Sequence, residues 1–113
     1  MDATIFTKII NKEVNADIVY EDELCVAFKD VNPQAPVHVL LIPKKIIPKL
    51  ADSAESDQSL LGHLMLKASV VAKKLGVGDA FRLVVNNGAD VGQTVFHLQL
   101  HIIAGRRFSW PPG

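Results

Sequence analysis

The stretch His97-Leu98-Gln99-Leu100-His101-Ile102-Ile103 indicates how the chain folds, because polar and apolar residues alternate along it. Successive side chains of an extended strand point to opposite faces, so His97, Gln99 and His101 are predicted to share one face. The other face would carry the apolar side chains that join a core: Phe96, Leu98, Leu100 and Ile102. Neighbouring polar side chains would lie about 7 Å apart along the strand. A row of this kind at a sheet surface can hold an anion or move a proton.

Length and composition predict one globular domain, residues 1–113. Of the 113 residues, 49% are hydrophobic, which argues against a disordered chain. The formal net charge is zero, so neither nucleic acid nor a membrane surface is an expected partner. No apolar run approaches the length of a membrane span, and the N-terminus lacks the layout of a signal peptide. The single cysteine, Cys25, lies in an apolar run, which predicts a small buried residue and a reducing intracellular compartment.

The hydrophobic pattern predicts an α+β fold, with one long helix on one face of a five-stranded antiparallel sheet and a short N-terminal helix. The short helix is expected over residues 4–10, with Asp2 or Thr4 as its cap. Strands are expected over 18–21, 24–28, 37–42, 81–86 and 95–103. The long helix is expected to end at Leu75, and the spacing of Asp52 and Glu55 is typical of a capping box at its start. Apolar residues on more than one side of this helix indicate a second contact, with a subunit partner.

The four histidines, His38, His63, His97 and His101, are the first candidates for chemistry. His63 lies on the long helix and matches no other signal, so a structural or surface role is expected for it. His38 follows Pro36 at the start of an apolar strand. A lone strand histidine is usually structural, but His38 becomes a site candidate if its strand lies beside the histidine row.

Two loops could add groups that bind an anion or a sugar. Residues 87–94 lead into the histidine row, and their glycines would let backbone N–H groups approach a phosphate. Gln93 and Thr94 add side-chain donors to this loop. The loop over residues 30–36 places the Asp30 carboxylate, which can accept two hydrogen bonds from a ribose diol, beside two prolines. Ordinary turns would explain both loops as well.

Three interpretations of the polar row stay open on spacing alone. A metal site is the weakest, because His97 and His101 would lie about 13 Å apart on a strand. Zinc holds its ligands at about 2 Å, so no metal is predicted. A phosphate-handling site fits the neighbouring glycine loop better, and a purely structural row is the third interpretation.

Short motifs spread over nearly the whole chain carry a resemblance to a known family. They are Thr4-Ile5-Phe6, Lys8-Ile9-Ile10, Pro33-Gln34-Ala35-Pro36 followed by His38, Ile42-Pro43-Lys44-Lys45, Leu60-Leu61-Gly62-His63-Leu64-Met65, Arg82-Leu83-Val84-Val85-Asn86, Gly92-Gln93-Thr94-Val95-Phe96-His97 and Trp110-Pro111-Pro112-Gly113. With these motifs the chain resembles the histidine triad (HIT) family, in the branch of the histidine triad nucleotide-binding (HINT) proteins. The resemblance implies a homodimer whose two sheets join into one, with the long helices packed at the interface.

The resemblance also implies a purine nucleoside monophosphate site and an adenosine 5′-monophosphoramidase activity, which hydrolyses AMP–amine phosphoramidates without a cofactor. The base pocket would be lined by Ile5, Phe6, Ile9, Phe28, Val31 and Leu40. Asp30 would hold the ribose hydroxyls. The phosphate or leaving group would be contacted by Asn86, Gly92, Gln93 and Thr94. Trp110 would lie near the site of the other subunit. The resemblance also implies that the protein is located in the cytoplasm, with the nucleus as a second compartment.

The departure from the family pattern at Gln99 has the largest consequence. His97 and His101 match the first and third triad positions and His38 the supporting fourth histidine, while Gln99 stands where the family has its nucleophile. An amide nitrogen has a delocalised lone pair and is not a useful nucleophile. Activity is therefore expected to be reduced or lost, and the alternative is a non-catalytic nucleotide-binding or protein-interaction regulatory module. Lesser departures are Lys29 for a usual histidine, and Val91 and Ala104 for usual glycines.

Overall fold

The computed structural model describes residues 4–113 and has the predicted α+β architecture. Its helices and strands are, in chain order, α1 (Ile5–Ile10), β1 (Ile18–Glu21), β2 (Cys25–Lys29), β3 (Val37–Pro43), α2 (Gln58–Lys74), β4 (Arg82–Val84) and β5 (Leu100–Ala104). The strands form one sheet in the order β1-β2-β3-β5-β4, and every neighbouring pair is antiparallel. The predicted five-stranded sheet with one long and one short helix is confirmed.

Side-chain alternation in the central strands divides the core between the two faces of the sheet. One cluster lies between the sheet and α2 and includes Val39, Leu41, Leu64, Val71, Leu100 and Ile102. The other lies on the α1 side and consists of Phe6, Ile9, Val26, Phe28, Leu40 and Ile42. Cys25 is completely buried in the α2-side cluster, as predicted. The α1 side therefore has a smaller core, which leaves room for a site.

The two helices begin differently from each other. The Thr4 hydroxyl accepts hydrogen bonds from the N–H groups of Phe6 and Thr7, so Thr4 is the cap of α1, while Asp2 lies outside the described residues. The predicted capping box at residues 52–55 is wrong, because Asp52 ends a short 3₁₀ turn and α2 begins only at Gln58. The Asp57 carboxylate instead forms the capping hydrogen bond before α2, which it accepts from the Ala54 N–H at 2.9 Å.

The last two strands are shorter than predicted. β4 covers only Arg82–Val84, and β5 begins at Leu100 rather than at residue 95. The chain bends over residues 95–97, and the Leu98 N–H donates to the Ile47 carbonyl at 2.7 Å instead of to a neighbouring strand. Strict alternation therefore fails at its N-terminal end, and Phe96 is 43% exposed rather than part of the core. Leu98 joins the α2-side core as expected.

The long helix also presents an apolar surface to solvent in this single chain. Met65, Leu66 and Val70 on α2 are 57%, 70% and 42% exposed. These are not the residues from which the sequence pattern indicated a second contact, namely Leu60, Leu64 and Val71, because Leu64 and Val71 are completely buried in the α2-side core. Within residues 4–113, no helix is long and apolar enough to cross a membrane.

Candidate functional site

A cavity of about 540 Å³ opens on the α1 side of the sheet. It is bounded by α1, the segment that follows it, β2, β3, the loop before β5 and the start of β5. Of the residues singled out from the sequence, its lining contains Ile5, Phe6, Ile9, Phe28, Asp30, Val31, Leu40, Gly92, Thr94, Gln99 and His101. The fold thus brings residues separated by up to 96 positions along the chain to one concave surface.

The apolar wall of the cavity contains an aromatic pair. The rings of Phe6 and Phe28 lie 5.5 Å apart between centroids at an angle of 70°, an edge-to-face arrangement. Both rings are buried, whereas Ile5 and Val31 are exposed and form the rim. A wall of this kind suits a flat, largely apolar ring system that enters from solvent.

The polar end of the cavity is organised by His38 and His101 on neighbouring strands. The Gln34 N–H donates to Nδ1 of His38 at 3.0 Å, so the proton of that ring must lie on Nε2. This Nε2–H lies 2.9 Å from Nδ1 of His101 and donates to it. The proton of His101 therefore lies on its own Nε2. Burial lowers the pKa of His101, and the neighbouring His38 ring lowers it further while the Asp30 carboxylate opposes the shift, so the His101 ring is neutral near pH 7.

The amide of Gln99 is held in one orientation. Its Nε2 lies 3.0 Å from the carbonyl oxygens of both Val95 and His97, so both amide hydrogens are donated to the backbone. The opposite amide assignment would place three oxygens against one another. Oε1 has no hydrogen-bond partner within residues 4–113, and Gln99 lines the cavity. Its carbonyl oxygen is therefore the atom of the amide that is left for a ligand.

His97 packs edge-to-face against Phe6 of the α1-side core, with 6.0 Å between ring centroids, but it is not among the residues that line the cavity with Gln99 and His101. The His97 ring is completely buried, and its Nε2–H donates to the Pro43 carbonyl at 2.7 Å. Its Nδ1 is buried with no partner in the part of the chain described here. Burial lowers the pKa of His97, and the bond to Pro43 offsets this only partly. His97 thus positions the bend before β5, and its carbonyl holds the amide of Gln99.

Asp30 connects the cavity to the histidine pair. One carboxylate oxygen accepts the Asn32 N–H at 2.8 Å, and the other lies 3.3 Å from Nε2 of His38. Each carboxylate oxygen can accept more than one hydrogen bond, so Asp30 keeps accepting capacity toward a ligand.

Five predicted site residues lie outside the cavity lining: His38, His97, Asn86, Gln93 and Trp110. The side chain of Gln93 is buried and used by the loop: Oε1 accepts the Gly88 N–H, while Nε2 donates to the carbonyls of Pro48 and Val95. Asn86 lies beside Gly92, whose φ of 103° is one that glycine adopts readily. Trp110 is 81% exposed in the single chain. Their direct contacts with a ligand stay predictions.

Part of the cavity wall had no sequence signal. The segment after α1 contributes Val14, Asn15, Ala16 and Asp17, and the wall also includes Lys29 and Val95. Residues 11–17 are irregular, so no periodicity could assign them to a surface. His63, for which a structural or surface role was expected, forms a hydrogen bond through Nε2 to the Asp22 carboxylate at 2.7 Å. The two residues are 41 positions apart along the chain.

Among residues 4–113, two sets of three metal-ligand side chains have their donor atoms within 4.8 Å of one another: Asp22, Cys25 and His63, and Asp30, His38 and His101. In the first set, burial and the neighbouring Asp22 raise the pKa of the Cys25 thiol to about 12, so the thiolate that zinc prefers is strongly disfavoured. In the second set, both ring nitrogens of His38 are already hydrogen-bonded. Neither set offers three free ligand atoms, and both fit a hydrogen-bonded role better than a zinc site.

A sequence model of the HIT domain matches residues 11–108 of this chain. The chain belongs to the HIT family. One HIT-like relative, an uncharacterised protein of Synechocystis, is 71% identical over 110 residues, which cover 97% of this chain and 96% of the relative. A 14 kDa zinc-binding protein of Zea mays is 47% identical over 112 residues, which cover 97% of this chain and 88% of that protein.

Solved HIT structures share the fold over nearly the whole chain. A HIT family hydrolase from Legionella pneumophila superposes with a TM-score of 0.95 and 40% identity, covering 98% of this chain and all (100%) of that one. A histidine triad nucleotide-binding protein from Candida albicans gives a TM-score of 0.83 with 26% identity, covering 96% of this chain and 83% of that one. The predicted HIT family and HIT fold are confirmed, and the finer HINT branch stays a prediction.

Proposed function

We propose that this HIT protein binds a purine nucleoside monophosphate, or a phosphoramidate of one, in the cavity between α1 and the sheet. The observation that carries the proposal is the composition of that cavity. Its aromatic wall, the Asp30 carboxylate and the Nε2–H of His101 are the groups that a base, a ribose and a phosphate each need. The nucleotide-binding description of the Candida protein, which shares the fold, supports the same ligand class.

The bound nucleotide would lie with its base against Phe6 and Phe28 and its ribose hydroxyls on Asp30. Its phosphate would then reach the start of β5, where the Nε2–H of His101 is directed by His38. The loop at Gly92 and Thr94 lines the same end of the cavity and would add donors to the phosphate.

The reaction that this arrangement favours is hydrolysis of an AMP–amine phosphoramidate, strongly slowed because Gln99 stands at the nucleophile position. The Legionella relative is described as a hydrolase, which supports this reaction class. A non-catalytic nucleotide-binding or protein-interaction module is the second candidate, and Gln99 is the feature that favours it.

Zinc is a weaker candidate ligand. The Zea mays relative is described as zinc-binding, which suggests zinc as a ligand to consider. In this chain, however, the high pKa of Cys25 and the doubly bonded ring of His38 leave neither donor set ready to coordinate.

A homodimer is also proposed, with α2 at the interface. Met65, Leu66 and Val70 give this helix an apolar face that a second copy would cover. Sedimentation of the native chain and of Leu66→Glu tests it: the native protein should be a dimer and the variant a monomer.

The experiment that tests the function compares the native chain with Gln99→His. AMP affinity by calorimetry should change little, while turnover of an adenosine 5′-phosphoramidate should rise by about 10⁴ to 10⁶, the usual scale for restoring a catalytic nucleophile. Gln58→His, on the exposed start of α2, is the matched control and should leave both quantities unchanged.

Each other outcome has a distinct meaning. Absence of AMP binding in all three proteins would overturn the nucleotide site. AMP binding without a rate gain in Gln99→His would favour the non-catalytic module. Turnover by the native chain as fast as that of Gln99→His would contradict the role given to Gln99.

A further inference from the structure

In the described part of the chain, residues 4–113, the cavity presents no imidazole lone pair to a bound phosphate, which limits what can attack phosphorus. Nδ1 of His101 accepts from His38, so its other nitrogen, Nε2, carries a hydrogen. The unpartnered Nδ1 of His97 belongs to a ring with 0% exposure. The histidines at this end can therefore donate a hydrogen bond or support the fold, but they cannot act as nucleophiles in the arrangement observed.

Gln99 provides an acceptor at the same end. Because Nε2 donates to the carbonyls of Val95 and His97, rotation of the amide would break two hydrogen bonds. Oε1 is consequently fixed at a residue that lines the same cavity as His101, two residues along the chain. A fixed amide oxygen is too weak a base to remove a proton, but it can orient a water molecule, as glutamine does in some phosphoryl-transfer enzymes.

We infer that Gln99 Oε1 orients the attacking water, so that this chain hydrolyses its phosphoramidate by a single direct displacement with no covalent nucleotidyl-enzyme. The inference rests on the proposed function and deepens it: Gln99 becomes a water-positioning residue of a slow enzyme rather than only a lost nucleophile.

The step balances with water as the only co-reactant. The water oxygen forms a bond to phosphorus in line with the departing nitrogen, and the P–N bond breaks with its electron pair passing to nitrogen. One proton of the attacking water passes to solvent, and the amine takes one proton from solvent. The Nε2–H of His101 donates to a phosphoryl oxygen, where negative charge accumulates. AMP and the free amine are the products.

The stereochemical course at phosphorus tests the inference directly. A P-chiral adenosine 5′-thiophosphoramidate is hydrolysed in ¹⁸O-labelled water by the native chain and by Gln99→His. A single displacement inverts phosphorus, so the native chain should give inversion and no nucleotidyl adduct in the acid-quenched protein by mass spectrometry. Gln99→His should give retention and an adduct. Retention or an adduct in the native chain would overturn the inference, because a side chain would then be the nucleophile.

A second variant tests the acceptor itself. Gln99→Met keeps the approximate size but has no amide, so turnover should fall about tenfold or more while AMP affinity changes less than about threefold. Thermal unfolding and AMP binding of the variant establish that its site is intact. Turnover by Gln99→Met equal to that of the native chain, or native turnover indistinguishable from the buffer rate, would overturn the inference. If native turnover equals the buffer rate but the native chain still binds AMP, the water-positioning role of Gln99 is overturned while the proposed nucleotide site stands.

Discussion

Nε2 of His38 lies 2.9 Å from Nδ1 of His101, and the hydrogen bond between them crosses from β3 to β5. The contact is diagonal, because His101 pairs in register with Leu40 rather than with His38. Since the Gln34 N–H occupies the other nitrogen of His38, the hydrogen bond has one direction only. A proton added to Nδ1 of His101 would bring two N–H groups face to face, so this pair requires a neutral His101.

The first prediction concerns the protonation of His101. Burial and His38 lower its pKa below the ordinary 6.5, so the folded protein binds this proton less readily than the unfolded chain. The stability that His101 contributes is therefore fully present above pH 6.5 and decreases as the pH falls below that value. Ring ¹⁵N NMR at pH 7 should show a protonated Nε2 and an unprotonated Nδ1 in both His38 and His101. The opposite tautomer of His101 would contradict the hydrogen-bond direction.

The second prediction concerns Asp30 and the ribose. Asp30→Asn should weaken AMP binding by about 10- to 100-fold, since hydrogen bonds to a charged group contribute about 1.5 to 3 kcal/mol. The affinity for 2′,3′-dideoxy-AMP, which lacks the hydroxyls, should change little. Calorimetry with both ligands on both proteins checks this. An equal loss for the two ligands would mean that Asp30 acts through His38, 3.3 Å away, rather than on the sugar.

The third prediction concerns the stability supplied by Asp22. Burial alone would raise its pKa, but the N–H of Leu24 and the side chains of Tyr20 and His63 donate to the carboxylate and hold the pKa well below 3.8. Asp22→Asn should lower the free energy of unfolding by about 1 to 3 kcal/mol at pH 7. Urea titrations check it, with Asp79→Asn on an exposed turn as the control.

The pH dependence of the same variant gives the sign of the effect. A carboxyl group whose pKa is lower in the folded than in the unfolded chain stabilises the fold at pH values above its unfolded-state pKa. This stabilisation is lost as the pH falls through the folded-state pKa. The difference between the native chain and Asp22→Asn should thus be constant from pH 7 to about 5 and shrink below pH 3.8. A difference that grows in acid would contradict this account.

The fourth prediction concerns Gly105, directly after β5. Its φ is +95°, and a Cβ there would lie 2.9 Å from the Cβ of Pro36, which belongs to the rigid loop before His38. Gly76 has a φ of +78° with open space around it, so Gly76→Ala measures the backbone cost alone, about 1 to 2 kcal/mol. Gly105→Ala should destabilise the protein by more than that, measured by urea unfolding, and should also shift the NMR signals of His38. Equal effects at the two glycines would mean that Pro36 yields without cost.

The sequence predicted the elements well where periodicity was long and poorly where the chain bends. The 3.6-residue pattern of α2 and the apolar run of β3 identified both, because α2 buries one apolar face and β3 is buried on both faces of the sheet. Residues 96–99 alternate as a strand does, yet they leave the sheet. Local pattern cannot detect this, since the competing hydrogen bonds come from Ile47 and Pro43, about 50 positions away.

By itself the sequence determined which residue types are present: the histidines, the carboxylate of Asp30 and the glutamine at position 99, together with a resemblance specific enough to name the family. Only the tertiary structure decided what those groups can do. It turned His97 into the interior, and it directed the proton of His101 through His38. It also left the oxygen of Gln99 as the atom of that amide available to a ligand. Hydrogen-bond direction depends on partners that folding brings together from distant positions, and a linear pattern of residues does not contain that information.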